Sequence, residues 1–328
     1  MNLDIRGGGV SKSRVLVTGA SGFVGSALTE KLLANESFIP VCAVRDLDFG
    51  GCAERVVYEL DKGLPIEALK GIDTIVHAAA RVHVMKSSSS DDLSAFRKAN
   101  VEGTLKLARG AAEAGVRRFI FISSVKVNGE QTFPGRPYLA TDTPAPIDPY
   151  GISKAEAESA LRTLAADTGL EVVIIRPPLV YGPGVKANFQ KMLGWVHSRL
   201  PLPFGSISNQ RSLVALENLL DLIVHCIRHP GAPGNTFLVS DGEDLSTTQL
   251  LQRVARALGV HSALIPVPER LLIVCLILLG KRALATRLCG SLQVDISNTR
   301  ELLGWAPPVS SEQALDSVAK DFLEAKKK

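Results

Sequence analysis

A glycine-rich turn follows the first apolar run of the chain. The run Arg14–Thr18 (RVLVT) has the β-branched, apolar character of a buried strand, and an amphipathic segment follows at Ser26–Ala34. Between them, Gly19, Gly22 and Gly25 form the pattern G-x-x-G-x-x-G. A pyrophosphate needs a tight turn, close backbone approach and a helix N-terminus with free N–H groups. The position directly after a first strand favours a dinucleotide site, and an ordinary strand-to-helix loop is the alternative.

Segments of strand and helix character alternate behind this turn. Helical apolar spacing occurs at Asp92–Ala114 and Lys154–Thr168. Short apolar runs predict further strands at Val41–Val44, Thr74–His77, Phe119–Ser123 and Glu171–Arg176. This alternation predicts an α/β fold with a doubly wound parallel sheet, the Rossmann architecture.

The composition of the chain changes after Arg176. Pro177-Pro178, the stretch YGPG at 181–184 and Pro201–Pro203 interrupt the alternation. We therefore predict a dinucleotide-binding domain over residues 1–176 and a smaller, mainly helical substrate lobe over 177–328. The run Thr236–Val239, within a returning segment near 211–240, is expected to rejoin the first sheet.

Charge and composition exclude several classes of protein. Of 328 residues 46% are hydrophobic, and 37 Lys and Arg nearly balance 33 Asp and Glu, so disorder is excluded. A net charge of +4 is too small to indicate a nucleic-acid partner and suits an anionic small substrate. The cysteines lack metal-ligand spacing, so we predict no metal site and buried thiols in a reducing compartment. They are Cys42, Cys52, Cys226, Cys275 and Cys289.

The most apolar run of the chain is Leu271–Leu279 (LLIVCLILL), which precedes Gly280-Lys281-Arg282. It is much shorter than the roughly 20 residues that cross a bilayer. The first 14 residues contain no apolar signal segment. We therefore expect a cytoplasmic protein without a transmembrane span, in which this run forms a buried or interface helix. A foot on the membrane surface is the alternative.

The end of the second predicted strand bears on the choice of dinucleotide. An acidic group at that place hydrogen-bonds the adenosine ribose of NAD, whereas an Arg accommodates the 2′-phosphate of NADP. Arg45 follows Val44 directly, and Asp46 comes next. We therefore favour NADP(H). NAD(H) is the alternative, with Arg45 on the adenine and Asp46 on the ribose.

A tyrosine and a lysine form a candidate proton-transfer pair. Tyr150 and Lys154 are four residues apart at the entry of a helix, which places them on one face. An adjacent cation favours the phenolate and lowers the pKa of a phenol, as a general acid/base requires. Ser123 and Ser124 end a predicted strand and could bind a reacting oxygen, and Asn100 could hold the lysine through water. A surface pair without function is the alternative.

Several ordered motifs give the chain a family resemblance. They are TGASGFVG, HAAA at 77–80, NVEGT at 100–104, FISSV, Tyr-x-x-x-Lys, IRPPLVYGPG and LGWAP at 303–307. The chain resembles the extended short-chain dehydrogenases/reductases, of the NAD-dependent epimerase/dehydratase type, over nearly its whole length. By this resemblance Tyr150 is the catalytic acid/base, Lys154 lowers its pKa and binds the nicotinamide ribose, and Ser124 hydrogen-bonds the reacting oxygen.

The resemblance also implies which residues bind the dinucleotide. Glu59 or Asp61 would meet the adenine edge, and the alanines at 78–80 would line the cofactor. The implied set is Gly19, Ser21, Gly22, Phe23, Val24, Gly25, Arg45, Asp46, Glu59, Leu60, Asp61, Ala78, Ala79, Ala80, Asn100, Ser123, Tyr150, Lys154 and Pro177.

The resembled family acts on nucleotide sugars by several reactions. Its 4,6-dehydratases carry Asp-Glu after the catalytic serine, where this chain has Val125-Lys126, so dehydration is disfavoured. Its 4-epimerases usually carry an Asp at the end of the second strand, where this chain has Arg45. The stretch ISSVKVNGE resembles reductases that form UDP-N-acetylquinovosamine or a related 6-deoxy sugar.

The resemblance therefore implies NADPH-dependent reduction, at C4, of a UDP-4-keto-6-deoxy-N-acetylhexosamine, as a step toward surface polysaccharides such as lipopolysaccharide. One alternative is a UDP-hexose or UDP-N-acetylhexosamine 4-epimerase that keeps NAD tightly bound. Another is a regulator that binds the cofactor without catalysis. Family members often dimerise beside the Tyr-x-x-x-Lys helix, so a homodimer is expected.

The diphosphate of a UDP-sugar substrate needs cations and amides. Asn188 and Arg211 fall where the family contacts this group, and the planar fork of an Arg binds phosphate oxygens bidentately. Arg287 is expected to be a second, weaker cation at the same place.

The sugar end of the substrate is expected to meet four side chains. Ser124 and Tyr150 would contact the reacting oxygen, and His83 would line the sugar pocket. Lys126 would lie beside the sugar where the dehydratases carry a carboxylate. A structural histidine and a solvent-facing lysine are the alternatives for the last two.

Overall fold

Short apolar strands form the centre of the protein. The structure, a computed structural model, describes residues 12–48, 50–82, 89–133 and 135–327. Its strands are β1 (Ser13–Thr18), β2 (Phe38–Val44), β3 (Glu54–Val57), β4 (Thr74–His77), β5 (Arg118–Ile122), β6 (Glu171–Arg176), β7 (Leu179–Tyr181), β8 (Arg211–Ala215), β9 (Thr236–Leu238) and β10 (Asp244–Leu245). Within the described residues, seven of them form a parallel sheet in the order β3-β2-β1-β4-β5-β6-β9.

Helices flank this sheet and build the rest of the chain. They are α1 (Phe23–Leu33), α2 (Ser89–Phe96), α3 (Gly103–Glu113), α4 (Pro149–Thr168), α5 (Ala187–His197), α6 (Leu216–Arg228), α7 (Thr247–Ala257), α8 (Glu269–Leu278), α9 (Arg282–Cys289), α10 (Ser297–Leu303) and α11 (Ser311–Ala325). A π-helical turn at Arg97–Glu102 joins α2 to α3, and 3-10 turns lie at Ile66–Leu69 and Val125–Val127.

The two faces of the sheet carry separate apolar layers. Val15 and Val17 of β1 point to the layer of α1 and α6, whereas Leu16 points to the layer of α3 and α4. This follows from the period of two along a strand, since successive side chains leave opposite faces. Helices on both faces of a parallel sheet confirm the doubly wound α/β prediction.

The sequence predicted the buried strands of the large sheet but not the strands that are short or mixed in polarity. Thr74–His77 and Glu171–Arg176 are strands with the predicted bounds, and the strand of the returning segment pairs with β6. The sequence reasoning missed β3, β7, β8 and β10, which are short or mixed in polarity. The predicted helix 92–114 is three consecutive helical segments, because a π-helical turn interrupts it.

The second half of the chain is divided between two cores. Helix α6 packs on the large sheet although it follows residue 176. A second core joins α5, α7 and α11, and a three-stranded sheet of β10, β8 and β7 lies in this half as well. The division of the chain at residue 176 stays a prediction.

Candidate functional site

A cleft of about 860 Å³ opens at the carboxyl ends of the central parallel strands. Ligands bind at this edge in open parallel sheets, because the strand order reverses there and leaves a crevice. Most of the predicted cofactor residues line it. They are Gly19, Ser21, Gly22, Phe23, Val24, Gly25, Arg45, Leu60, Asp61, Ala78, Ala79, Ala80, Ser123, Tyr150 and Pro177, and Ser124 lies with them.

The glycine-rich turn is shaped by close backbone contacts. Gly19 has a φ of +69°, and a Cβ there would lie 2.9 Å from the Ala79 backbone nitrogen. A Cβ on Gly25 would collide with the Gly19 carbonyl oxygen. Gly22 caps α1 without a side-chain hydrogen bond, so the amides of the first helical turn are not engaged by a capping side chain. The turn therefore has the close backbone approach and the helix start that a pyrophosphate needs, and its binding there stays a prediction.

Ser124 and Tyr150 face the same cleft from different elements. Ser124 follows β5 and accepts a hydrogen bond from the Lys126 backbone N–H at 3.2 Å. Tyr150 lies in the first turn of α4, where its ring meets that of Phe96 edge-on at 6.2 Å. Asp148 caps this helix by accepting the Gly151 N–H at 2.6 Å. The cap fixes the start of α4 and with it the position of the phenol.

The pKa of Tyr150 moves in the direction opposite to the prediction. Burial raises the pKa of this phenol, and the charge of Asp148 raises it further. Lys154 was expected to lower it, but burial lowers the pKa of Lys154 itself to about 7, with Glu158 acting in the opposite sense. Lys154 is 1% exposed, and its Nζ lies 4.0 Å above the Phe121 ring. Desolvation therefore controls both groups, because a buried site disfavours their charged forms.

A buried ionic network lies behind Ser124. Glu158 accepts hydrogen bonds from Arg176 Nε and Nη2 at 2.9 and 2.6 Å, and both residues are 1% exposed. Ser123 donates its hydroxyl to Glu158 at 2.5 Å, and Arg176 also donates to Asn128 Oδ1 at 3.0 Å. Ser123 thus has a structural partner and also lines the cleft, and its predicted role in cofactor binding stays a prediction. The network ties α4 to the ends of β5 and β6.

Asn100 holds a strand end in place and does not contact Lys154. Its Oδ1 accepts the Arg81 N–H at 2.8 Å, while its Nδ2 donates to the Arg81 carbonyl at 3.1 Å and to Ser153 Oγ at 3.0 Å. Asn100 therefore fixes the backbone of Arg81, which lines the cleft. Its water-mediated contact with Lys154 stays a prediction.

A buried histidine belongs to the site although the sequence reasoning assigned it no role. His77 Nδ1 lies 2.7 Å from Thr18 Oγ1, and Nε2 lies 3.0 Å from Thr104 Oγ1. Burial lowers the pKa of His77 to about 3, and the nearby Lys154 adds to this effect. Thr18 also accepts the Ala79 N–H at 3.2 Å. The neutral imidazole therefore bridges β1 and α3 beneath the cofactor cleft. The sequence signal that could have found this contact is a polar residue at the end of each of two adjacent strands, Thr18 and His77.

The adenine end of the cleft has a different character. Arg45 is exposed and lines the cleft, whereas Asp46 turns away to accept the Asp48 N–H at 3.0 Å. Glu59 pairs with Lys62 at 2.7 Å and lies outside the cleft lining, so Asp61 is the acidic residue at this edge.

Tyr58 is a cleft residue that the sequence reasoning missed. It directly follows β3 and is 3% exposed, and within the described residues its hydroxyl has no hydrogen-bond partner. Burial raises the pKa of this phenol. An unpaired buried hydroxyl at the cleft is a donor and acceptor that a ligand could satisfy.

The side chain of Arg211 reaches the backbone of Arg287, and neither residue lines the cleft. Arg211 Nη1 donates to the carbonyl oxygens of Arg287 and Gly290, at 3.3 and 2.8 Å. Burial lowers the pKa of Arg211. Asn188 is exposed in the first turn of α5. The structure thus brings the two arginines together, and a diphosphate role for them stays a prediction.

Of the two remaining residues predicted at the sugar, the structure describes Lys126 but not His83. Lys126 is ion-paired with Asp148, the residue that caps α4, and it does not line the cleft. It therefore supports the helix that carries Tyr150, and a position of Lys126 beside the sugar stays a prediction. His83 lies outside the described residues.

Comparison with known families agrees with this architecture. Residues 15–240 match the model of the "NAD dependent epimerase/dehydratase family". The chain belongs to that family. A UDP-glucose 4-epimerase of Vibrio cholerae is 46% identical over 316 residues, covering 95% of this chain and 96% of the relative.

Solved structures of this fold hold either nicotinamide dinucleotide. The UDP-glucuronic acid 4-epimerase of Bacillus cereus, in complex with NAD, matches 95% of this chain and 99% of its own, with a TM-score of 0.77 and 20% identity. The RMD protein of Pseudomonas aeruginosa, complexed with NADPH, matches 94% and 99%, with a TM-score of 0.73 and 21% identity. At these identities the likeness shows the fold alone.

The residues of the cleft fit a nicotinamide dinucleotide. The glycine-rich turn leaves no room for side chains at Gly19 and Gly25. The start of α1 lacks a capping side chain, and Tyr58 offers a buried hydroxyl that has no partner among the described residues. These features match the shape and hydrogen-bonding needs of a dinucleotide. These features do not distinguish NAD from NADP, a choice that depends on the group facing the adenosine ribose, where Arg45 lies.

Proposed function

We propose that the protein is a UDP-sugar 4-epimerase that retains its nicotinamide cofactor through turnover. The observation that carries this proposal is the convergence of Ser124 and Tyr150 on the dinucleotide cleft, with Lys154 buried behind them. A relative of nearly equal length, 46% identical, is a UDP-glucose 4-epimerase. This replaces reduction, the reaction favoured by the sequence reasoning, as the first candidate.

The proposed chemistry assigns a separate task to each side chain. Tyr150 Oη removes the proton from the C4 hydroxyl of the sugar. After the keto sugar has rotated in the site to present its other face, Tyr150 returns the proton to the same oxygen. Ser124 donates its hydroxyl hydrogen to the same oxygen, since its own oxygen accepts from the Lys126 N–H. Lys154, when protonated, stabilises the phenolate form of Tyr150. A bound nicotinamide dinucleotide supplies reversible acceptance of the C4 hydride.

The network behind the site explains why the side chains keep their positions. Glu158 and Arg176 hold the ends of β5 and β6 to α4, so Ser124 and Tyr150 lie on elements that are connected through buried bonds. Catalytic positions need such support, because small displacements cost large factors in rate.

The experiment offers the purified protein UDP-glucose and UDP-N-acetylglucosamine in separate reactions and separates the products by chromatography. We expect one substrate to give a mixture of C4 epimers, without net consumption of nicotinamide cofactor. A nucleotide that copurifies with the protein is extracted and identified in parallel. If neither sugar nucleotide is interconverted, with or without added NAD, the proposal is wrong.

Arg45 favours a second candidate, the reduction of a UDP-4-keto-6-deoxy-N-acetylhexosamine by NADPH. Its cationic side chain is exposed at the cleft where the 2′-phosphate of NADP is held in this type of fold. The test mixes protein, NADPH and a UDP-4-keto sugar and follows the NADPH absorbance. Net oxidation would support reduction, and its absence beside active epimerisation would reject it. A regulator without catalysis would show neither reaction.

A further inference from the structure

The segment Glu269–Cys289 forms a helical hairpin, called here the α8–α9 hairpin. Its apolar side chains are unusually exposed. The relative exposures are 54% for Leu271, 51% for Val274, 48% for Ile277, 81% for Leu278 and 68% for Leu279. These residues cover one helix and its end, and they are not scattered singly over the surface. The sequence reasoning expected this run to be a buried or interface helix, and in the isolated chain it is mostly exposed.

The exposure follows from the composition of α8. The helix is apolar on every side, but a helix at a protein surface buries only one stripe. The buried stripe of α8 is centred on Leu272, which packs with Ile207 and Cys289. Ile273 and Leu276 are partly buried against the same cluster. The remaining apolar side chains stay about half exposed or more, and the thiol of Cys275 is exposed with them.

Cations border this apolar face without acidic neighbours in sequence. Residues 270–287 contain no Asp or Glu. The four exposed cations in this stretch are Arg270, Lys281, Arg282 and Arg287. The nearest acidic residue, Glu269, accepts the Ser208 N–H at 3.1 Å. Apolar and cationic groups therefore share one surface whose positive charge is not balanced within the hairpin.

We propose that the α8–α9 hairpin docks on the surface of an anionic lipid bilayer. A short apolar helix flanked by cations can lie in the plane of the interface, with its apolar side chains at the boundary of headgroups and acyl chains and its cations among the headgroups. Lys281 and Arg282 directly follow the most exposed apolar residues, so they would meet the lipid phosphates. The hairpin does not span the bilayer, because no helix in the described part of the chain has the required length and apolar character.

Charge argues against a second copy of this chain as the occupant. In a two-fold interface the same patch meets itself, so each copy would bring its cations against the same cations. No carboxylate of residues 270–287 is available to neutralise them. An anionic lipid surface supplies both the apolar phase and the negative charge that the hairpin lacks.

The test is sedimentation of the full chain with vesicles at low salt. One set of vesicles is phosphatidylcholine, and the other contains phosphatidylglycerol in addition. We expect the protein to sediment with the anionic vesicles and to be released by added salt. Leu278→Glu with Leu279→Glu should lower the partition coefficient at least about tenfold, because two apolar groups are replaced by anions. Lys281→Glu with Arg282→Glu should lower it by a similar factor.

The matched control is Leu33→Glu, the same substitution at a leucine of α1 that is 49% exposed. It should leave vesicle binding unchanged. All variants should keep the unfolding midpoint of the unmodified chain, since each altered side chain is exposed. This midpoint separates loss of docking from loss of the fold. The proposal does not depend on the epimerase proposal, because vesicle binding is measured without substrate.

Three outcomes would overturn the proposal. In the first, the unmodified chain does not sediment with anionic vesicles. In the second, the variant with Leu278→Glu and Leu279→Glu sediments to the same extent as the unmodified chain. In the third, sedimentation velocity without lipid shows a dimer that Leu278→Glu with Leu279→Glu converts to a monomer. That result would make a second copy the partner of the hairpin.

Discussion

The two ends of the cleft are built in different ways. At the catalytic end, charged and polar side chains are buried and bonded to one another, as Glu158 and Arg176 are at 1% exposure. At the adenine end, Arg45 is exposed, and the hydroxyl of Tyr58 is buried without a partner in the described residues. One end is held by the protein itself, and the other leaves groups available to a ligand.

The difference indicates where single substitutions change function and where they change the fold. Removing one member of a buried bonded pair leaves its partner charged and unsolvated. Replacing an exposed side chain at the cleft alters only what the ligand meets. We therefore expect stability and turnover to depend on the catalytic end, and cofactor selectivity to depend on the adenine end.

The largest expected effect is at the phenol of the catalytic end. Tyr150→Phe removes the acid/base group while keeping the ring against Phe96. Turnover of whichever UDP-sugar the unmodified protein epimerises should fall by about 10²–10⁴-fold, with the fold intact. Steady-state kinetics measure it, and Tyr138→Phe, outside the cleft lining, is the control. A Tyr150→Phe protein with more than about a tenth of the activity would contradict the assignment.

The buried pair behind the site is expected to control stability. Glu158→Gln leaves the Arg176 guanidinium without its counter-charge, so the free energy of unfolding should fall by about 3–5 kcal/mol. Urea denaturation measures this change. The control is Glu156→Gln on the same helix, whose ion pair with Arg97 is partly exposed and should cost about 0–1 kcal/mol. Equal losses in the two variants would show that burial does not set the cost.

The buried amine should give the protein a specific pH dependence. The pKa of Lys154 falls from its ordinary value of 10.5 to about 7 in the folded protein, so the unfolded chain binds more protons between these values. The contribution of Lys154 to stability is therefore lost as the pH falls from 10.5 towards 7. Lys154→Met has no amine to titrate, so its stability does not fall for this reason as the pH is lowered.

Urea denaturation of both proteins across this pH range tests the linkage. The stability of Lys154→Met relative to the unmodified chain should increase toward lower pH, by an amount on the order of a few kcal/mol. Other titrating groups are common to both proteins and cancel in the difference. A difference that does not vary with pH would show that the amine keeps an ordinary pKa.

At the adenine end, Arg45→Asp should shift cofactor selectivity. The loss of a charge-assisted contact with the 2′-phosphate, and repulsion by the new carboxylate, should favour NADH over NADPH by about tenfold or more. Binding titrations with both dinucleotides measure the ratio. Asp46→Ala distinguishes the alternative, in which Asp46 holds the ribose and its loss weakens NADH. An unchanged ratio in Arg45→Asp would remove Arg45 from cofactor choice.

The smallest expected effect is at Tyr58. Tyr58→Phe removes a buried hydroxyl that has no partner in the described residues, so stability should stay the same or rise by up to about 1 kcal/mol. Dinucleotide affinity should fall by a few fold if the ligand satisfies this hydroxyl. Thermal unfolding with and without dinucleotide measures both effects. Loss of stability in the free protein would reveal an internal partner and contradict this interpretation.

Much of the fold was predictable because its causes are local. Two buried strands occur with the predicted bounds, since continuous apolar runs between helical segments leave few other structures. The short strands β7, β8 and β10 were missed, because their formation depends on partners distant in sequence. In the site, spacing alone pointed to the glycine-rich turn and to Tyr150, which line the cleft, whereas most other lining residues were implied only by the family resemblance.

The roles of polar side chains were less predictable. The sequence gives no sign that Ser123 bonds to Glu158 or that Asn100 bonds to the backbone of Arg81. These partners lie 35 and 19 residues away, so no local pattern indicates them. The pKa of Lys154 is likewise a product of burial between packed elements, which sequence spacing does not report.

Local sequence was enough to specify the glycine-rich turn and the parallel sheet behind it. Backbone sterics at Gly19 and Gly25 and the period of apolar residues act over a few positions and can be read directly. Long-range packing, in contrast, sets which polar groups are bonded, which way the pKa values of Tyr150 and Lys154 move, and that α8 is exposed. These properties depend on burial, and burial is set by elements that meet only when the whole chain has folded.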